Sequence, residues 1–159
     1  MDSEDRARLA RVLDLQEGRG PVPVLDDAAI SALLNSRPRV AVVGASDRPG
    51  RPSRGVLVDL QRAGVDAVPV TPRHATVGGA TAYPDLAAAV ASTGPFDIVD
   101  VFRRPEACPA HAREAVAAGA RVLWLQLGIV SWEAARIAHA GGLGVVMDRC
   151  LSVELHRLR

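Results

Sequence analysis

Short apolar runs separated by segments of helix length fill this chain from residue 39 onward, and that alternation restricts the fold more than any other feature. The runs fall at 40–43, 66–70, 97–101, 121–127 and 143–147, and most are continuous. Continuous runs suit strands covered on both faces, whereas a sheet with one wet face shows a polar residue at every second position. Between them, segments near 53–63, 84–91, 105–118 and 131–140 carry apolar residues at helical spacing. Gly64, Gly119 and Gly141 follow three of these as stop signals, Pro84 and Pro105 stand near the starts of two, and Ser131 suits the N-cap of the last. Strand and helix in alternation predict an α/β domain of three layers around a five-stranded parallel sheet.

Ahead of it, residues 2–17 read as an amphipathic helix, with Leu9, Val12 and Leu13 on one face. Gly18, Gly20, Pro21 and Pro23 break it, and Asp26 or Asp27 can cap a second short helix through Ile30, Leu33 and Leu34. The division expected is an N-terminal helical extension over residues 1–26 and one domain over 27–159. A formal net charge of +1 and 3% aromatic residues argue against a nucleic-acid surface. No apolar run approaches the roughly 20 residues that span a bilayer. Cys108 and Cys150 are too few for a disulfide scaffold, so a cytoplasmic protein is expected.

In a parallel sheet of this kind ligands bind beyond the carboxyl ends of the strands, where the strand order reverses. After the first run comes Gly44-Ala45-Ser46-Asp47-Arg48-Pro49-Gly50-Arg51-Pro52-Ser53, with Ser53 in the place of a helix N-cap. Strand, tight loop and helix start form a phosphate cradle: amides point outward, the helix dipole favours negative charge, and Arg51 can fork onto phosphate oxygens. The loop is not the dinucleotide fingerprint G-x-G-x-x-G, because Ser46 occupies the place of the second glycine. It is also no nucleophile elbow, since Gly44-Ala45-Ser46-Asp47-Arg48 lacks the final glycine.

After the second run, Thr71-Pro72-Arg73-His74 offers no carboxylate for an unmodified ribose and supplies Arg73 instead. A cation there suits a phosphorylated ribose, the 2′-phosphate of NADP or the 3′-phosphate of coenzyme A; a solvated loop arginine is the plain alternative. After the third run, Phe102 and Arg103 stand at the mouth of the expected crevice. Asp100 lies inside a covered strand and should be paired or hydrogen-bonded, holding a neighbouring loop in shape. Gln126 either offers its amide to a ligand or ties two strand ends, and Trp124 reads as core. Asp148 and Arg149 read as a local ion pair, and Cys150 as either an inert buried thiol or one activated by Arg149. His74, His111, His139 and His156 show no metal-ligand spacing.

Taken together, VAVVGASDRPGRPSRGV, VPVTPR, DIVDVFRRPE, VLWLQLGI and VVMDRCLSVE resemble the small single-domain CoA-binding protein family, itself similar to the N-terminal domain of the succinyl-CoA synthetase α subunit. The resemblance runs from about Asp27 to the C-terminus. It implies a Rossmann-like domain that holds coenzyme A or an acyl-CoA at its strand ends. Gly44, Ala45, Ser46, Arg51 and Ser53 match the diphosphate loop, and Thr71, Pro72 and Arg73 the segment beside the adenosine and its 3′-phosphate. Val101, Phe102, Arg103 and Arg104 match the segment along the adenine and pantetheine side. Thr71 stands where the family usually carries asparagine, although the synthetases have Thr-Pro there. Glu154-Leu155-His156 replaces the usual Glu-His.

The expectation is a binding module without catalysis of its own, alone or as a homo-oligomer or with a protein partner. Neither the synthetase's phosphorylatable-histidine domain nor a P-loop is in the chain, so acyl-CoA ligation by it alone is not expected. Two other readings remain at this stage: an NADP-dependent oxidoreductase, and a thiol-redox protein forming a mixed disulfide with CoA at Cys150.

Overall fold

A computed structural model describes residues 1–158. The chain opens with α1 (Ser3–Gln16), whose first turn is capped by the Asp2 carboxylate accepting the Asp5 amide at 2.8 Å. After an irregular stretch comes α2 (Asp27–Asn35), and Asp26 rather than Asp27 caps it, accepting from the Ala29 amide at 2.8 Å. The α/β alternation follows: β1 (Val40–Val43), α3 (Pro52–Arg62), β2 (Ala67–Val70), a hairpin of β3 (Thr76–Val77) and β4 (Ala80–Thr81), then α4 (Leu86–Thr93) and β5 (Ile98–Val101). A 3₁₀ turn at Pro105–Ala107 leads into α5 (Cys108–Ala117), followed by β6 (Val122–Leu125), α6 (Trp132–Ala140), β7 (Gly144–Val146) and α7 (Leu151–His156).

The five strands of the main sheet run parallel in the order β2-β1-β5-β6-β7. From β1 the chain builds outward to β2, then crosses back to lay β5 on the other side of β1. The order therefore reverses between β1 and β5, and the crevice such a reversal opens lies at their carboxyl ends. Every residue of β1, β2, β5 and β6 is buried, as continuous apolar runs require. Ala41, Val43, Val99, Leu123 and Val145 belong to one core with α4, α5 and α6. Val40, Val42, Ile98, Val122 and Trp124 belong to the other, with α2, α3 and α7. Full burial of Leu57 and Leu60 from α3 contributes about 1.5–3 kcal/mol each before entropy is counted.

The punctuation differs from expectation at one helix, α3. Pro52 fixes the backbone one residue early, so α3 starts there with Arg51 at the N-cap, and Ser53 lies inside the first turn. Pro84 stands just ahead of α4 as expected, and Asp85 is the N-cap, accepting the Ala88 amide at 2.8 Å. Gly141 caps α6 with φ −82°, and the left-handed turn falls on Gly142 at φ +85°. Gly141 is needed for another reason: a Cβ there would come within 2.5 Å of Val116 on α5. Alanines 112 and 115 on α5 and 134, 135 and 138 on α6 are fully buried and let these two helices approach closely.

Two elements escaped the sequence reading. The hairpin turns through Gly78 and Gly79, both left-handed at φ +57° and +80°, as a two-residue loop of the primed type demands. Helix α7 is fastened to α3: the Ser152 hydroxyl donates to the Asp59 carboxylate, and His156 Nε2 lies 2.8 Å from the same oxygen. These two bonds, the Ser152 one first, hold the Asp59 pKa below its usual range.

The segment ahead of α2 covers part of the edge of the sheet. The Leu25 amide donates to Val145 O at 2.9 Å, which occupies part of the open ladder of β7. Trp132 Nε1 donates to Arg11 O at 3.3 Å, and a Cβ on Gly20 would fall 1.9 Å from the Trp132 ring. Among the described residues no helix is long and apolar enough to cross a membrane.

Candidate ligand site at the strand reversal

Three loops meet at the carboxyl ends of β2, β1 and β5. Backbone bonds lock them together: the amides of Gly44 and Ala45 donate to Val70 O at 3.0 and 3.4 Å, and the Phe102 amide donates to Val43 O at 2.8 Å. Gly44 has φ +81°, and a Cβ on it would lie 2.6 Å from Phe102 O and 2.8 Å from Arg103 Cδ. Only glycine meets both conditions.

Within the first loop the hydrogen bonds are directed inward. The Ser46 amide donates to Ser53 Oγ at 3.0 Å, and the Arg48 amide donates to Ser46 Oγ at 3.2 Å. The buried Ser53 hydroxyl therefore closes the loop instead of capping the helix. The amides of Asp47, Gly50 and Ser53 find no acceptor among the described residues, so they are the N–H groups the loop can turn to an anion.

The second loop folds on itself too. Thr71 is buried, its amide donates to Tyr83 O at 2.8 Å, and its Oγ1 accepts the Arg73 amide at 3.2 Å. Pro72 and Arg73 are exposed beside it.

Ala45 and Val101 have their side chains in the core, at 3% and 0% exposure. They shape the floor, and only their backbones approach the crevice. Phe102 is half-buried, while Arg103 and Arg104 are exposed. Arg51, Arg73, Arg103 and Arg104 make no ion pair among the described residues. Four free cations on three converging loops create a positive rim with no carboxylate bound to neutralise it.

Supporting residues were missed in the sequence. Asp47 accepts the Gly78 amide at 2.8 Å and lies 3.5 Å from Arg54 Nε, which ties the first loop to the hairpin and to α3. The Gly78 bond, with Arg54 and His74 nearby, holds the Asp47 pKa below the usual carboxylate range. The Gly78-Gly79 pair after an apolar residue was the available signal. Cys108 is buried, and its Sγ lies 3.4 Å from Arg104 O and 3.6 Å from Arg103 O, steadying the turn that presents both arginines. Burial, with Glu106 nearby, pushes this thiol up to about 12.

Elsewhere the strand ends serve structure. Gln126 Oε1 accepts the Leu151 amide at 3.4 Å, tying the end of β6 to α7. Asp148, in the left-handed region at φ +58°, accepts the Gly128 amide at 2.7 Å. It does not pair with Arg149, which reaches Asp27 at 2.7 Å instead. Cys150 is half-buried rather than sealed in the core. Asp100 departs furthest from expectation: it is fully buried, and neither carboxyl oxygen has a hydrogen-bond partner among the described residues. Burial pushes its pKa well above the usual range, which favours the neutral acid. It steadies no loop.

Known proteins share the fold and much of the sequence. The sequence model of a family described as a CoA binding domain matches residues 38–156. The chain is 40% identical over 126 residues to the uncharacterized protein YneT of Bacillus subtilis, covering 79% of this chain and 91% of that one. Among solved structures, the protein cell-free ID.343 of Thermus thermophilus superposes with a TM-score of 0.78 at 36% identity, over 85% of this chain and all of its own (100%). A hypothetical protein of Pyrococcus horikoshii OT3 gives a TM-score of 0.78 at 32% identity, over 84% of this chain and 92% of its own.

Proposed function

The chain belongs to the family of CoA-binding domains, and from that premise we propose that it binds coenzyme A or an acyl-CoA at the carboxyl ends of β2, β1 and β5, as a binding module without catalysis of its own. The observation that carries the reading is the glycine pivot. At Gly44 the first loop comes so close to Phe102 and Arg103 that no side chain fits, which brings the amide-bearing loop and the arginine-bearing turn to one place. The open amides of Asp47, Gly50 and Ser53, with Arg51, are placed to hold a diphosphate. Arg73 on the neighbouring loop suits the 3′-phosphate, and Phe102 and Arg103 flank the pantetheine side. Coenzyme A supplies a thiol that carries acyl groups; the residues named here bind and orient it. Compartment and protein partners follow the same reading: a cytoplasmic protein, alone, as a homo-oligomer or docked on a partner.

The test is a thermal-shift titration with CoA, dephospho-CoA, NADP and NAD. A ligand that binds only the native state raises stability by RT ln(1 + [L]/Kd), so selectivity appears as a ranking of shifts. CoA should lead and dephospho-CoA should follow. A lead by NADP would replace this reading with the oxidoreductase.

A further inference from the structure

Helix α1 lies outside the residues the family model matches, yet it stands at the ligand end of the sheet. Between it and the turns after β5 and β6 is a cleft of about 290 Å³. Arg8, Arg11 and Val12 line one side, and Pro105, Gly128 and Val130 the other. Pro105 follows directly on Arg104, so the cleft begins where the Phe102–Arg104 segment ends. The Gly44 loop lies against Phe102 O and Arg103, and Arg104 joins that segment to Pro105 in the cleft lining.

We propose that α1 forms the wall of the subsite that receives the thiol end of the ligand, and that this wall selects free CoA or short acyl-CoA over long-chain acyl-CoA. The inference rests on the CoA-binding reading above. Chemistry sets the selection. Val12, Pro105 and Val130 give an apolar floor that suits a thiol or a short acyl group. The rest of the lining is charged: Glu4, Asp5, Arg8, Arg11 and Glu106. A long hydrocarbon chain lying along those groups strips water from charges and returns no hydrogen bond. The wall is held lightly: no residue of α1 is fully buried, and its fixed points are Val12 and Leu15 against the core and the Arg11–Trp132 bond. Gly20 keeps the following segment against the Trp132 ring, where a Cβ has no room.

Calorimetric titration of the full chain with CoA, acetyl-CoA and palmitoyl-CoA tests this, using the wild type, Val12→Trp and Gly20→Ala, with circular dichroism to confirm folding. The wild type should bind acetyl-CoA about as well as CoA and palmitoyl-CoA at least about tenfold more weakly. Val12→Trp fills the cleft and should lower the affinity for acetyl-CoA relative to CoA. Gly20→Ala dislodges the segment and should narrow the gap between palmitoyl-CoA and CoA. Equal wild-type affinity for palmitoyl-CoA and CoA, or unchanged ratios in a folded variant, overturns the role of α1 and leaves the CoA-binding reading standing. Failure of the wild type to bind all of the thioesters and CoA overturns both.

Discussion

The hydroxyl of Ser53, in the first turn of α3, accepts the backbone N–H of Ser46 across the loop at 3.0 Å. Two residues seven apart in sequence are thereby clamped, and the amides between them are held in a fixed array. Removing the acceptor leaves the Ser46 amide without a partner in a half-buried place. Ser53→Ala should cost about 1–2 kcal/mol of stability, from the lost bond and the orphaned donor. Urea unfolding measures the loss, and calorimetry should show weaker CoA binding beyond what the lower stability explains. An unaltered urea midpoint would show that the clamp is dispensable.

Arg51 and Arg73 are given different phosphates, and this is separable. Arg51→Ala should weaken CoA and dephospho-CoA alike, by about 1.5–3 kcal/mol for a charge-assisted contact. Arg73→Ala should weaken CoA by a similar amount and leave dephospho-CoA unaffected. The cycle formed by the two ligands and the two proteins measures the Arg73 term directly. If Arg73→Ala lowers both affinities equally, Arg73 does not read the 3′-phosphate.

Asp100 makes stability depend on pH with an unusual sign. Burial raises its folded pKa well above the ordinary 3.8 of an aspartic acid. Above about pH 4 the unfolded chain releases this proton while the folded chain keeps it, so stability from this group is fully present below pH 3.8 and is lost as pH rises through the folded value. Asp100→Asn preserves shape and removes the titration. Urea unfolding at several pH values should give a curve that falls less with rising pH for Asp100→Asn than for the wild type. Parallel curves would contradict the buried neutral acid.

The two cysteines should differ sharply towards alkylating reagents. Cys108 is buried with its thiol pushed up to about 12, whereas Cys150 is half-buried. At pH 8 the native protein should label at Cys150 and spare Cys108 until it is unfolded. Exposure to CoA disulfide provides a second reading by intact mass. A mixed disulfide, formed as the thiolate displaces one CoA thiolate, should be lost in Cys150→Ser and kept in Cys108→Ser. An adduct that survives Cys150→Ser would show that Cys108 is accessible after all.

Much of the fold was legible because a parallel sheet covered on both faces writes itself as continuous apolar runs. All five runs contain strands: 40–43 is a strand from end to end, and the other four lose one or two residues at one or both ends, mostly polar ones such as Asp66, Asp97, Arg121 and Gln126. Punctuation was read less well. Ser53 has the composition of an N-cap, but Pro52 starts the helix earlier and the hydroxyl has a better partner across the loop. Gly141 stops α6 at its C-cap as expected, and it is needed as well for its lack of a side chain against Val116. The Gly78-Gly79 pair marks the hairpin turn in the sequence, but the two-residue strands beside it are too short to show a period.

The sequence by itself determined the three-layer plan, the place of the crevice and the cations around it, because hydrophobic periodicity and residue chemistry are local properties. Only the tertiary structure decided which amides are spent inside the loop, that Val101 and Ala45 turn into the core, and that Asp100 has no partner. It alone brought Asp47 to the hairpin and α1 to the turns after β5 and β6. Each of these depends on a neighbour distant in the chain, and such neighbours are fixed by packing and hydrogen bonding across the fold rather than by the residue that carries the group.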